Sequence, residues 1–190
     1  SFQTTGVFRS AEDWSATLRD LRLEGRNQRT GSFVLRTNAQ LRPEQGRLDD
    51  LAYRDRYSAV SGSGRILPLE EGYRLNAELA EQDGPESYEL VGRWVKGSAN
   101  GQVSFRGTSL RRLEIAPIRG SVSGQLSFQD VPEGPRLSVR LETEDASFNT
   151  DGFGASGVLI LGPQTAELRD FRGTYLTREL QGGNGALDLA

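Results

Sequence analysis

LDDLAYRDRYSAVSGSGRILPLEEGYRLNAEL, running from Leu48 to Leu79, is the stretch that decides the fold. It opens on Leu48, Leu51 and Tyr53, passes a polar turn, and places Tyr57, Ala59 and Ser61 on alternate positions. Gly62 and Gly64 precede Ile66 and Leu67. Glu70-Glu71-Gly72 then turns the chain into Tyr73, Leu75, Ala77 and Leu79, interleaved with Arg74, Asn76 and Glu78. Alternation with period two marks a strand with one buried and one wet face.

The opening phrase recurs. LRDLRL from Leu18, LRRLEI from Leu110 and LRDFRG from Leu168 repeat the order apolar, polar, polar, apolar. Each copy is followed by a glycine ahead of an apolar residue: Gly31 before Phe33, Gly62 and Gly64 before Ile66, Gly124 before Leu126, Gly185 before Leu187. The starts lie 30, 62 and 58 residues apart, which fits a repeating β-unit of about thirty residues with every other copy blurred.

The same alternation extends outward in both directions. Phe33, Leu35, Thr37, Ala39 and Leu41 share one parity, and Pro43 to Gly46 turns the chain. Gln82 to Glu86 is a turn, followed by Tyr88, Leu90, Gly92 and Trp94 on one face. A glycine-rich turn from Gly97 to Gly101 leads to Val103 and Phe105. Leu110 to Ile118 carries Pro117 and reads as an edge or strand end. Val122, Gly124, Leu126 and Phe128 alternate with serines and glutamines, Pro132 to Pro135 turns, and Leu137, Val139 and Leu141 follow. Asn149 to Gly152 is a turn. Val158 to Leu161 is a fully apolar run, as for a strand covered on both faces. Residues 1–25 admit two readings. Ser10 with Asp13 suggests a capping box ahead of a short helix bearing Trp14, Leu18 and Leu21. Alternatively Trp14, Ala16 and Leu18 lie on a strand whose phase changes at an Arg19-Asp20 bulge. The strand reading is preferred, because the later copies of the phrase sit among strands.

Composition narrows the function. The chain has 190 residues, 35% hydrophobic and 26% charged, with 23 glycines and a net charge of −3. With no linker or low-complexity tract, residues 1–190 read as a single repetitive β domain, cut from a longer protein because both ends fall inside patterned sequence. Charges are mixed along the chain, so nucleic acid is not an expected partner. Cys and His are both absent, which removes thiolate chemistry and the commonest general base and metal ligand. Lys96 is the sole lysine. No stretch approaches the length of a membrane helix.

The expected fold is therefore all-β: about a dozen short, mostly antiparallel strands, each with one apolar face. That face must close as a barrel, pair as a sandwich, or curl over a non-protein ligand.

Little in the chain suggests catalysis. Asp49-Asp50 and Glu70-Glu71 are adjacent on extended chain and point to opposite faces, so they make poor paired acids. Glu142 and Glu144 share a face, but the wet one. Asn149, Asp151 and Gly152 lack the remaining oxygens of a calcium loop. Gly62-Ser63-Gly64 lacks the strand-to-helix setting of a phosphate loop. Trp14, Trp94, Tyr53, Tyr57, Tyr73 and Tyr88 are able to stack on sugar rings, but on alternating strands they read first as wall residues. No enzyme activity, cofactor or metal is expected.

The repeated phrase, the glycine ahead of each following strand, and strands with one apolar and one charged face resemble the repeating part of the TamB and AsmA-like envelope proteins, over nearly the whole chain. The resemblance implies a long sheet curled into an open apolar trough, a β-taco. It also implies a periplasmic, envelope-spanning protein anchored in the inner membrane, with phospholipid acyl chains as cargo and a partner in outer-membrane barrel assembly. On this reading Phe33, Leu35, Leu75, Leu79, Leu90, Trp94, Val103, Phe105, Leu126, Phe128, Val139 and Leu141 line the groove. Each buried methylene is worth about 0.8 kcal/mol, enough for a chain to leave a bilayer and still slide between similar sites. The rivals are a closed β-sandwich or solenoid module of a surface protein, and a carbohydrate-binding β-domain. An excised open sheet would also present unpaired edges, so edge-to-edge self-association is expected of the isolated chain.

Overall fold

The computed structural model describes residues 3–10, 12–27, 31–113, 117–131, 134–176 and 178–188. Among them the chain is all-β: fourteen strands and one 3-10 turn, with no α-helix. Contacts divide the chain into two compact units, Ser1–Gly97 and Ser98–Ala190.

The first unit is a seven-stranded antiparallel meander in sequence order. Its strands are β1 (Gln3–Phe8), β2 (Trp14–Asn27), β3 (Gly31–Leu41), β4 (Gly46–Arg54), β5 (Ala59–Leu69), β6 (Gly72–Glu81) and β7 (Ser87–Val95). The second holds β8 (Ser98–Ser109), the 3-10 turn Leu110–Leu113, β9 (Ile118–Val131), β10 (Gly134–Phe148), β11 (Asp151–Leu161), β12 (Thr165–Tyr175), β13 (Arg178–Gln181) and β14 (Gly185–Asp188). Strands β8 to β13 follow in order. β14 returns to β12, so β13 and β14 lie end to end on one edge of that strand.

The recurring phrase turns out to be a β-bulge. In β2, Arg19 and Asp20 together oppose Asn38, and the register steps from Leu18 to Leu21. In β4, Asp49 and Asp50 oppose Ser63. In β12, Asp170 and Phe171 oppose Gly157. Asp20, Asp50 and Asp170 have φ of 51°, 53° and 50°. That left-handed region costs most residues energy, and Asp is among the few types that enter it readily. Asp145 in β10 does the same at 48°, and Gly107 in β8 at 65°.

At three of the bulges a main-chain N–H is taken up by a side chain from beyond its own strand. Asp20 N–H donates to Asn38 Oδ1 at 3.0 Å, Gly107 N–H to Ser123 Oγ at 3.2 Å, and Asp170 N–H to Asn184 Oδ1 at 3.1 Å. Beside the irregularity between β10 and β11, Ala155 N–H donates to Thr143 Oγ1 at 2.7 Å. Capture of these groups removes the cost of an unpaired donor, about 1–3 kcal/mol where it is buried.

The preferred reading of residues 1–25 holds: Trp14–Asn27 is a strand bulged at Arg19-Asp20, and the alternative helix is not found among the described residues. Other expectations are corrected. The Ser10 signal is real but local, since Ser10 Oγ accepts the N–H groups of Glu12 and Asp13 in the turn before β2. LRRLEI is not a fourth bulge. Its first four residues form the 3-10 turn, and Glu114 to Ala116 lie outside the described residues. Arg112 stands where the other copies have Asp, and Arg does not favour the left-handed bulge position. The turn near Gly97 is only Lys96-Gly97, with β8 starting at Ser98. Of the turn at Pro132 to Pro135, Pro132 and Glu133 lie outside the described residues. In β11, Val158 sits across from Arg140 and Arg169, and Ile160 from Ser138 and Glu167. The apolar run thus exposes half its side chains to a polar row rather than to a second layer.

Gly62, across from Leu51 and Leu79, lies where a Cβ would overlap the Glu78 main-chain carbonyl of β6. Gly183 has nothing within 4 Å. Gly62→Ala is expected to cost about 2–4 kcal/mol and Gly183→Ala less than about 1 kcal/mol. Urea unfolding midpoints measure both, and equal midpoints would contradict the close approach of β5 and β6.

Candidate functional site

Residues directly opposite each other on a ladder point to the same face, so register alone defines the surfaces. In the first unit one row runs Leu23, Leu35, Tyr53, Val60. The next rows run Leu51, Gly62, Leu79, Tyr88, then Ala39, Leu48, Gly64, Ala77, Leu90, and then Gly46, Ile66, Leu75, Gly92. Pro68, Tyr73 and Trp94 complete the face. Phe33, Leu35, Leu75, Leu79, Leu90 and Trp94 therefore share a side. In the second unit, Val103, Leu126, Val139, Leu159 and Leu168 form one row, and Gly101, Phe128, Leu137, Leu161, Ala166 and Leu187 the next. Phe105, Gly124, Leu141 and Gly157 form a third. The six expected residues of that unit also share a side.

Burial on these faces is partial. Among the described residues the buried apolar side chains are few and mostly small, such as Ala39, Val60, Ala77 and Ala146, and no large side chain is fully buried. Trp94 keeps 55% of its surface exposed and Leu141 36%. In the second unit the face hollows into a cavity of about 560 Å3. Phe105, Val122, Leu141, Leu159 and Phe171 line it, with Leu110 and Arg112 of the 3-10 turn at its side.

Three tyrosines near strand ends of these faces set their hydroxyls on carboxylates. Tyr53 Oη donates to Asp55 Oδ2 at 3.1 Å, Tyr88 Oη to Glu86 Oε1, and Tyr175 Oη to Asp151 Oδ2 at 2.9 Å. Asp55 and Glu86 are buried. Asp55 Oδ1 also accepts the N–H groups of Tyr57 and Ser58 at 2.8 and 2.9 Å, so its charge holds the β4–β5 turn. Sequence reading missed these pairs, although the i, i+2 spacing of Tyr53 with Asp55 and of Glu86 with Tyr88 placed them on one side of extended chain. At the opposite end Tyr73 and Trp94 stack at 6.4 Å and 18°, and both are more than half exposed.

Asp49, Asp50 and Glu71 are held in structural contacts. Asp49 pairs with Arg47 at 3.3 Å, Asp50 Oδ2 accepts from Asn38 Nδ2 at 2.9 Å, and Glu71 pairs with Lys96 at 2.6 Å. Arg22–Glu24 and Arg169–Glu167 are similar exposed pairs within one strand, each worth little in water. Among the described residues no group of three or more acidic side chains could hold a metal ion.

The Tyr175 phenol is raised above its ordinary value of 10.0, first by its hydrogen bond to Asp151 and then by desolvation and the Asp151 charge. The contact is thus present below pH 10 and is lost as pH rises through the raised value. Asp151→Asn is expected to bring this phenol back toward its ordinary range. Absorbance titration of the tyrosinate, with Tyr175→Phe as the blank, measures it, and an unmoved phenol would contradict the pairing.

No family model matches the chain, no curated protein is recognisably similar to it, and no solved structure matches it.

Proposed function

We propose that the chain is a non-enzymatic segment of an envelope protein whose apolar faces form an open groove for acyl chains. The cargo on this reading is phospholipid or another lipid passing between inner and outer membranes, with outer-membrane protein assembly as an associated role. The observation that carries it is the run of apolar rows in register across each unit, which no second layer of the same unit covers among the described residues.

Surface area supports the reading. The chain exposes 13407 Å2. A compact protein of its 20.9 kDa would expose about 9,000 Å2, and two separate compact halves about 10,800 Å2. Sheets packed face to face within either unit would not leave such an excess. The cavity in the second unit falls in the size range of small-molecule sites, roughly 300–1,000 Å3, and its walls offer an acyl chain contact without polar competition. Gly62, Gly64, Gly124 and Gly157 lower the floor of the face, so that a chain lying on it meets few protruding side chains. The exposed Tyr73–Trp94 stack favours a second reading, binding of a sugar ring. Quenching of Trp94 fluorescence by soluble oligosaccharide, absent in Trp94→Phe, would favour that reading over the first.

Lipid extraction and native mass spectrometry of the purified chain test the proposal directly. Leu126 lies across from Val103 and Val139 on the apolar side, and Ser127 across from Gln102 and Ser138 on the polar side. Leu126→Arg is expected to cut bound lipid severalfold and to lose some stability, because a charge set half-buried among apolar side chains is costly. Ser127→Arg should leave both nearly unchanged. Equal loss from the two variants at equal expression would sink the assigned facing, and absence of co-purifying or transferable lipid would sink the function.

The outer edges of β1 and of β13 with β14 pair with no strand among the described residues. Free edges template other chains, so the purified chain is expected to associate increasingly with concentration. Sedimentation across a wide concentration range measures this, and a strictly monomeric species would favour the closed module instead.

A further inference from the structure

β12 and its edge strands repeat β2 and β3. SATLRDLRL at Ser15–Leu23 and TAELRDFRG at Thr165–Gly173 stand 150 residues apart and share Ala, Leu, Arg, Asp and Arg at equivalent positions. Their partners repeat too. Ala39 and Leu41 of β3 oppose Leu18 and Ala16, while Gly185 and Leu187 of β14 oppose Leu168 and Ala166. Leu35 opposes Leu23, and Leu180 of β13 opposes Gly173. Asn38-Ala39-Gln40-Leu41 thus corresponds to Asn184-Gly185-Ala186-Leu187, and Asn184 Oδ1 takes the bulge N–H of Asp170 as Asn38 Oδ1 takes that of Asp20.

The correspondence breaks at one point. Asn38 is used twice: its Nδ2 reaches across to Asp50 Oδ2, in the bulge of β4, at 2.9 Å. Asn184 is exposed, and its Nδ2 has no partner among the described residues. Beside it the broken edge opens a recess of about 700 Å3 bordered by Asp170, Phe171, Gly182 and Gly183.

We propose that the outer edge of β13–β14 is a strand-addition site for an extended segment with the pattern of β4. That pattern is apolar residues at alternate positions and, at the bulge, an aspartate whose carboxylate meets Asn184 Nδ2. In the β4 register Leu48 of such a segment faces Gly185, Tyr53 faces Leu180, and the Asp49-Asp50 bulge lies at Asn184. Main-chain bonds supply general edge affinity, and the Asn–Asp contact supplies the selection. The inference goes beyond the groove and does not depend on lipid.

A labelled nonapeptide of sequence Gly46–Arg54 is titrated into the full chain, at concentrations where sedimentation shows monomer. Hydrogen exchange locates the contact. Binding is expected to protect the amides of Arg178–Asp188. The Asp50→Ala peptide, which leaves the protein untouched, should bind about tenfold more weakly, as for loss of a hydrogen bond to a charged group. Asn184→Asp keeps an oxygen for the Asp170 N–H but removes the donor, so it should weaken the parent peptide and erase the difference between the two. Protection elsewhere, no protection at saturation, or equal binding of both peptides to the unsubstituted chain would overturn the proposal.

Discussion

A main-chain N–H that leaves its ladder must find another acceptor, and the two meanders are arranged around that requirement. Bulges recur where a left-handed Asp or Gly adds one residue to a strand. At Asp20, Gly107 and Asp170 the freed N–H is filled by Asn38, Ser123 and Asn184. Bulges bend strands and raise their twist. A sheet bulged on strand after strand does not lie flat, and a few side-chain oxygens satisfy N–H groups that its bulges free. The sparse burial follows from this, because the ladders themselves hold the strands in place.

Much of the fold was legible because strand parity is arithmetic. Once Tyr73, Leu75, Ala77 and Leu79 are taken as one face, hairpin pairing carries the facing to Leu90 and Trp94 with no further assumption. The bulges were harder to read. The phrase from Leu18 repeats and its phase changes at Arg19-Asp20, but its third residue carries the meaning. Asp there permits a positive φ, and Arg112 in the copy from Leu110 does not, so that copy coils into a 3-10 turn. The capping residues were illegible for another reason. Asn38 lies 18 residues from the N–H it serves, a distance at which alternation says nothing about side-chain partners. Alternation also fixes which way a side chain points without fixing what meets it, which is why Phe33, Leu35, Leu126 and their fellows could be placed on faces from sequence and no further.

The apolar face is unusual in what interrupts it. Glycines recur among the leucines, and aromatic residues collect toward the strand ends, where Tyr53 and Tyr88 are tied to buried Asp55 and Glu86. Side chains at the centre of the face therefore protrude little, while one end of the first unit is held by buried carboxylates and the other carries the exposed Tyr73–Trp94 stack.

Within each meander nearly every strand touches only the strands beside it, and that has a mechanical consequence. Cohesion is close to a sum of nearest-neighbour terms, as in a linear array of coupled spins. A defect in one hairpin weakens two junctions and leaves the others intact. Melting then begins at whichever terminal strand is shortest, such as four-residue β13 or β14, and travels inward one ladder at a time. A body built this way has no single nucleus whose loss dissolves the whole, and strands can be added to it or removed from it without redesign of what remains.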